Sequence, residues 1–170
     1  MRLGLILIVV TMAVGPASVG VAGTTPTPKL AWSTYANSQY GYTLNYPIVW
    51  QAEPGPAGYL SLTNFRMQPL GTDVLPPHGS KLELLPDVPA ELITGKPFAV
   101  GREDYPGLIR IGGEGPLSTS PPDHSIQIVY QAAGRHWGLF GYFAEPVDQR
   151  NPNVAVFFAI VHSIHHHPVT

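Results

Sequence analysis

The densest run of side chains able to do chemistry lies near the C-terminus, where His162, His165 and His166 fall at i, i+3 and i+4, with His167 next. On a helix, neutral imidazoles at that spacing can share one metal ion, which makes these three residues the candidate metal ligands. The competing reading is a helix end before Pro168, with imidazoles resting near the negative pole of the helix dipole. No carboxylate lies close in sequence to complete a metal shell, so a spatial neighbour would have to supply it.

Other groupings are weaker. Asp123, His124 and Ser125 are the residue types of a catalytic triad, but consecutive residues of an extended chain point to opposite faces and cannot form the relay. A G-x-S-x-G elbow is missing from the sequence, and the chain contains no cysteine to act as a thiol nucleophile, so a hydrolase is not expected. Gly112-Gly113-Glu114-Gly115 has the composition of a phosphate cradle without its context. No helical pattern follows, and Glu114 would repel the anion, so it reads as a turn. Arg102, Glu103, Asp104 and Tyr105 form the densest polar cluster. Glu103 and Asp104 offer oxygen ligands for a calcium-like ion but lack the EF-hand ladder, and a solvated loop is the simpler reading.

Aromatic residues supply the last candidates. Trp137, Phe140, Tyr142 and Phe143 are able to line a concave face for sugar rings or peptide side chains, with Trp137 and Tyr142 as the candidate ligand contacts. Alternation puts Trp137, Leu139 and Gly141 on one side and Gly138, Phe140 and Tyr142 on the other, and one side must be core.

Positioning these residues requires a β-rich domain. Charged residues are 12% and apolar ones 44% of 170, enough to bury a core, while 19 prolines and 18 glycines point to many turns and few long helices. Tyr42, Leu44 and Tyr46 alternate with Thr43 and Asn45 in the pattern of a half-buried strand; Gly41 lets the chain turn into it, Pro47 ends it, and Trp50 can seal one end of the core. Residues 59–65 alternate again, with Leu60 and Leu62 on one face. Residues 81–85 form a short strand with Lys81 and Glu83 facing out. Brief strands follow at 97–100 and 108–111. Residues 68–79 read as a Pro-rich insertion, 87–95 as at most one helical turn, and 112–123 as loop. The clearest hairpin joins 125–131 to 137–143 through a five-residue, Gly-containing loop.

One convincing helix closes the chain. Asn151 is a good cap and Pro152 a good first residue, after which Val154, Phe157, Phe158, Val161 and Ile164 form an apolar stripe. The expected fold class is α+β: one antiparallel sheet of about five to seven strands covered by a C-terminal helix.

The N-terminus indicates where the protein works. Arg2, the apolar run 3–14 and the small residues up to Gly23 fit a secretory signal, and the uncharged stretch 3–23 also approaches the length of an uncleaved anchor. Residues 24–29 (Thr-Thr-Pro-Thr-Pro-Lys) read as a polyproline-like tether, and 30–170 as a single domain. The absence of cysteine excludes a disulfide framework and a lipid-modified cysteine. The formal net charge is −2. With Arg2 set aside, eight Lys and Arg face eleven Asp and Glu, a net of −3, which argues against nucleic acid or an anionic membrane as the main partner.

The stretch Tyr35-Ala36-Asn37-Ser38-Gln39-Tyr40-Gly41-Tyr42-Thr43-Leu44-Asn45-Tyr46-Pro47, with Trp50 after it, resembles the start of PsbP-like domains, "Y-G-(aromatic)-x-(aliphatic)-x-Y-P-x-x-W". These domains include the photosystem II extrinsic subunit and many bacterial exported proteins of unassigned role. The end is similar too: a hairpin, a helix, then Ile160-Val161-His162-Ser163-Ile164, where the family has Ser before a last short strand. The resemblance implies an α/β/α-like sandwich around an antiparallel sheet and no enzyme activity. The insertion at 68–79 and the loop at 112–123 depart from the family pattern, as does the missing lipobox cysteine. Together these features lead to the expectation of a non-enzymatic, exported accessory domain, secreted or extracytoplasmic. It would act on a protein or envelope component, need no cofactor, and touch a membrane only through an uncleaved N-terminal segment. A metal-binding protein built on the three histidines is the alternative, and an enzyme of unknown type ranks third.

Overall fold

The structure, a computed structural model, describes residues 30–66, 75–89, 95–112 and 122–169. The expected leader (1–23) and tether (24–29) lie outside the described residues, as do most of the insertion at 68–79, most of the expected helical turn at 87–95 and most of the 112–123 loop.

Ten strands and one α-helix appear among the described residues, broadly an α+β arrangement. The strands are β1 (Trp32–Asn37), β2 (Tyr42–Pro47), β3 (Gln51–Pro54), β4 (Leu60–Thr63), β5 (Ser80–Pro86), β6 (Lys96–Val100), β7 (Tyr105–Ile111), β8 (Ser125–Ala132), β9 (Arg135–Phe143) and β10 (His165–His166); the helix is α1 (Pro152–Ser163). They form two antiparallel sheets rather than the single one expected. Seven strands run in the order β3-β4-β5-β9-β8-β7-β6, and a smaller sheet runs β1-β2-β10. The extra sheet depends on β10 pairing with β2 from the far end of the chain, through His165 with Thr43 and His166 with Tyr42. No local pattern announces such a pairing.

The hairpin is tighter than the expected five-residue loop. Register continues to Ala132 opposite Arg135, leaving Ala133 and Gly134 as the turn, both at positive φ (50° and 74°). Two positive φ values give the turn the twist that matches the flanking strands.

Helix α1 starts as its cap predicts. The Asn151 side chain accepts a hydrogen bond from the Asn153 N–H (3.0 Å), while its own amide donates to the carbonyls of Glu145 and Pro146. Its buried face is Phe157, Ile160 and Val161, continued by Ile164 just past its end, whereas Val154 and Phe158 are only half-buried. The stripe therefore lies one step round from the predicted one. The helix stops because Ser163 turns its hydroxyl back to the Ile160 carbonyl (2.7 Å) and accepts the Asn45 N–H of β2 (2.8 Å). Ile164 is already extended, at φ −62° and ψ 135°. The backbone N–H groups of Gly101 and Arg102 then satisfy the carbonyls of Val161 and Ile164.

The core lies between α1 with β2 and one face of the large sheet. Leu60, Leu62, Leu82, Leu84, Ile126, Ile128, Trp137, Leu139 and Phe143 meet Tyr42, Leu44, Phe157, Ile160 and Val161 there. Gly141 permits the closest approach, since a Cβ at that position would sit 2.6 Å from Cε2 of Phe157.

Candidate functional site

The three candidate metal ligands do not converge. Because the chain is extended after Ser163, the helical spacing of the histidines is not realised. His162 is exposed in the last turn of α1, beside the ring of Phe98. His165 points to the turn after β6, with its Nδ1 against the Glu103 carboxylate. His166, on the opposite face of β10, is buried. Among the described residues, no group of three His, Asp or Glu side chains is arranged to hold a metal ion.

His166 is enclosed by aromatic rings: Trp137 at 4.5 Å between centroids, Tyr105 at 5.2 Å, Tyr130 at 5.7 Å and Tyr42 at 6.3 Å. The hydroxyl of Tyr130, whose proton is held by burial, donates to Nε2 (3.0 Å). That leaves the proton of a neutral imidazole on Nδ1, which has no partner among the described residues. Burial pushes the His166 pKa down to about 4; Glu103 opposes the shift, and the nearby His165 and His167 add to it. A neutral imidazole wedged between rings is a packing element and has no free lone pair to offer a metal.

The two candidate ligand contacts occupy opposite faces of β9. Trp137 is fully buried in the core, its Nε1–H donating to the Ala132 carbonyl (3.1 Å), so it is not a surface contact. Tyr142 lies on the other face, also buried, and its hydroxyl is held protonated by burial and by the nearby Glu83 charge.

That other face holds the feature that alternation alone did not identify. Register places Glu53, Ser61, Glu83, Phe140, Gln127 and Arg110 directly opposite one another in a single row across six strands. The next row holds Gln51, Thr63, Lys81, Tyr142 and Ser125. Glu83 was expected to face solvent, as an outward position of a short strand, and Gln127 lies beyond it in the row. Each is instead only 3% exposed.

Polar contacts within the row are only half made. Tyr59 donates its hydroxyl to Glu83 Oε1 (2.7 Å), and Lys81 pairs with the same oxygen. Arg110 Nη2 donates to Gln127 Oε1 (2.6 Å), which fixes the amide so that Nε2 points the other way. Glu83 Oε2, Gln127 Nε2, Arg110 Nε and the hydroxyls of Ser61 and Ser125 have no hydrogen-bond partner among the described residues. These are five of the seven such buried atoms, and all five are on this face. A buried donor or acceptor left unmade costs roughly 1–3 kcal/mol, so five together are a strained arrangement unless something pairs with them. Acceptor, amide donor, guanidinium donor and two hydroxyls stand in the same two rows as Phe140 and Tyr142. That set matches a polar ligand carrying both donors and acceptors, such as a peptide backbone or a sugar.

No protein-family model and no curated protein sequence matches the chain. The triad-like residues do not form a relay: His124 Nδ1 donates to the Phe143 carbonyl (3.1 Å), and the Ser125 hydroxyl has no base beside it among the described residues. Glu103 is tied to His165 on an exposed turn, with Asp104 at φ 52°.

Proposed function

We propose that the chain is an exported, non-enzymatic accessory domain of the PsbP-like kind, with that family's sandwich fold. It holds a protein or envelope component through the polar face of the large sheet. The observation that carries this reading is the row Ser61, Glu83, Gln127 and Arg110, with the Ser125 hydroxyl in the next row. All are buried polar groups with unmade hydrogen bonds on the face turned away from the core. The leader-like N-terminus supports the extracytoplasmic location, and His124, bonded to the Phe143 carbonyl and not to Ser125, supports a binding role over hydrolysis. No cofactor is needed for such a role.

The rim of this face is exposed at Gln51 and Gln131, which gives a direct test. A photo-crosslinking residue placed at either position, in cells that export the protein, is expected to trap one discrete adduct. The same residue at Arg102, on the turn beyond β6, should trap none. Adducts that form equally from Arg102, or from none of the three positions, would remove the reading.

A further inference from the structure

At the opposite end of β2 from the histidines, the chain exposes apolar side chains where a turn ordinarily carries polar ones. The Trp50 N–H donates to the Pro47 carbonyl (2.8 Å), closing a turn whose two central residues are Ile48 and Val49. They are 64% and 70% exposed, and Leu30 and Trp32 lie half-open beside them. The four belong to one surface, since Trp32 pairs with Pro47 and the Ile48 N–H donates to the Ala31 carbonyl (2.9 Å). Gly, Asn, Asp and Ser dominate such turn tips because they satisfy the turn at no hydrophobic cost. Two β-branched aliphatics there expose apolar area with no return from folding. The remaining large exposed apolar residues, Leu108, Ile111 and Val169, lie on other elements.

We infer that this tip seats on a lipid bilayer. Three observations favour lipid over a protein groove. Where the uncharged apolar stretch 3–23 is kept as an anchor, it ends seven residues before Leu30, so even fully extended chain keeps it within about 25 Å of the patch. A Trp flanked by aliphatics is the composition that settles at the membrane–water boundary. Lys29, next to the patch in sequence, is positive, and no carboxylate occurs between Leu30 and Val49, so the local charge does not oppose a headgroup surface. The patch is separate from the polar sheet face, so this inference stands whether or not that face binds a partner.

Trp32 provides the readout. It is the half-open tryptophan, Trp50 and Trp137 being buried, and residues 1–31 contain no other. The full chain is mixed with phosphatidylcholine vesicles, with and without lipid brominated in the acyl chains, and its emission is compared. The inference predicts loss of Trp32 emission in the brominated vesicles. Trp32→Phe should abolish that loss, and Ile48→Ser/Val49→Ser should reduce it while the chain still floats with the vesicles. Equal emission in both vesicle types, or quenching unaffected by Ile48→Ser/Val49→Ser, would overturn the inference. A blue shift that grows with protein concentration in the absence of lipid would assign the patch to a second copy of the chain and would also overturn it.

Discussion

On one face of the seven-stranded sheet, Leu60, Leu62, Leu84, Leu139 and Ile128 stand without exposed area against α1 and β2. On the other face, at alternate positions of the same strands, stand Ser61, Glu83, Phe140 and Gln127, also almost without exposed area. Burial is similar on the two sides, but one is wholly apolar at these positions and the other mixes Phe140 with polar groups. Each buried leucine contributes roughly 1.5–3 kcal/mol. Each unmade polar group subtracts about as much as one of them adds. Most of the burial that stabilises this protein therefore lies on one side of its sheet; the other adds the smaller apolar set Leu85, Val88, Val129, Phe140 and Tyr142 and carries five unmade polar atoms.

Substitutions on the two faces carry different expected costs. The largest effect belongs to the apolar side. Phe157→Ala should cost about 3–5 kcal/mol, read as a fall in the urea midpoint, because the ring fills the space over Gly141 and Phe143. A loss under 1 kcal/mol would mean that the helix does not roof the core.

His166 is a buried titratable group on that side, and it gives the apolar face a pH limit. Its folded pKa of about 4 lies below the ordinary 6.5, so the unfolded chain binds the proton more readily. Its contribution is complete above pH 6.5 and is lost as the pH falls toward 4, on the order of 3 kcal/mol in all. Urea midpoints at pH 7.5 and pH 4.5 should therefore converge more in His166→Gln than in the wild type. Equal slopes would show that the imidazole is not held neutral. Gly141→Ala comes next, at about 1–3 kcal/mol, since the added methyl meets a ring that is buried on every side. The smallest effect lies outside both faces. Ala133→Asn, at φ 50° in the hairpin turn, should raise the thermal midpoint by the equivalent of about 0.5–1 kcal/mol, because asparagine tolerates that conformation better.

Local signals made much of this architecture legible, and distant pairing hid the rest. The alternation around Tyr42, the apolar runs of β8 and β9 and the Asn151-Pro152 start were readable because each depends on neighbours a few residues away. The second sheet was not, because β10 finds β2 across more than a hundred residues. The histidines were misplaced for the same reason: their spacing suits a helix, but Ser163 ends that helix by bonding to Asn45. The polar row could not be read from alternation, which separates the two faces of a strand and is silent on whether the polar one meets water. Only the register of six strands together brings Ser61, Glu83, Gln127 and Arg110 into line.

The proposal is that the five unmade polar atoms of this face are kept for a ligand and not for folding. Its most direct test is the urea unfolding midpoint of Ser61→Ala/Ser125→Ala, which deletes two buried hydroxyls that have no hydrogen-bond partner among the described residues. The account predicts a midpoint equal to the wild type or higher, by up to about 2 kcal/mol in stability. A fall of about 1 kcal/mol or more would contradict it, because those hydroxyls would then be supporting the fold.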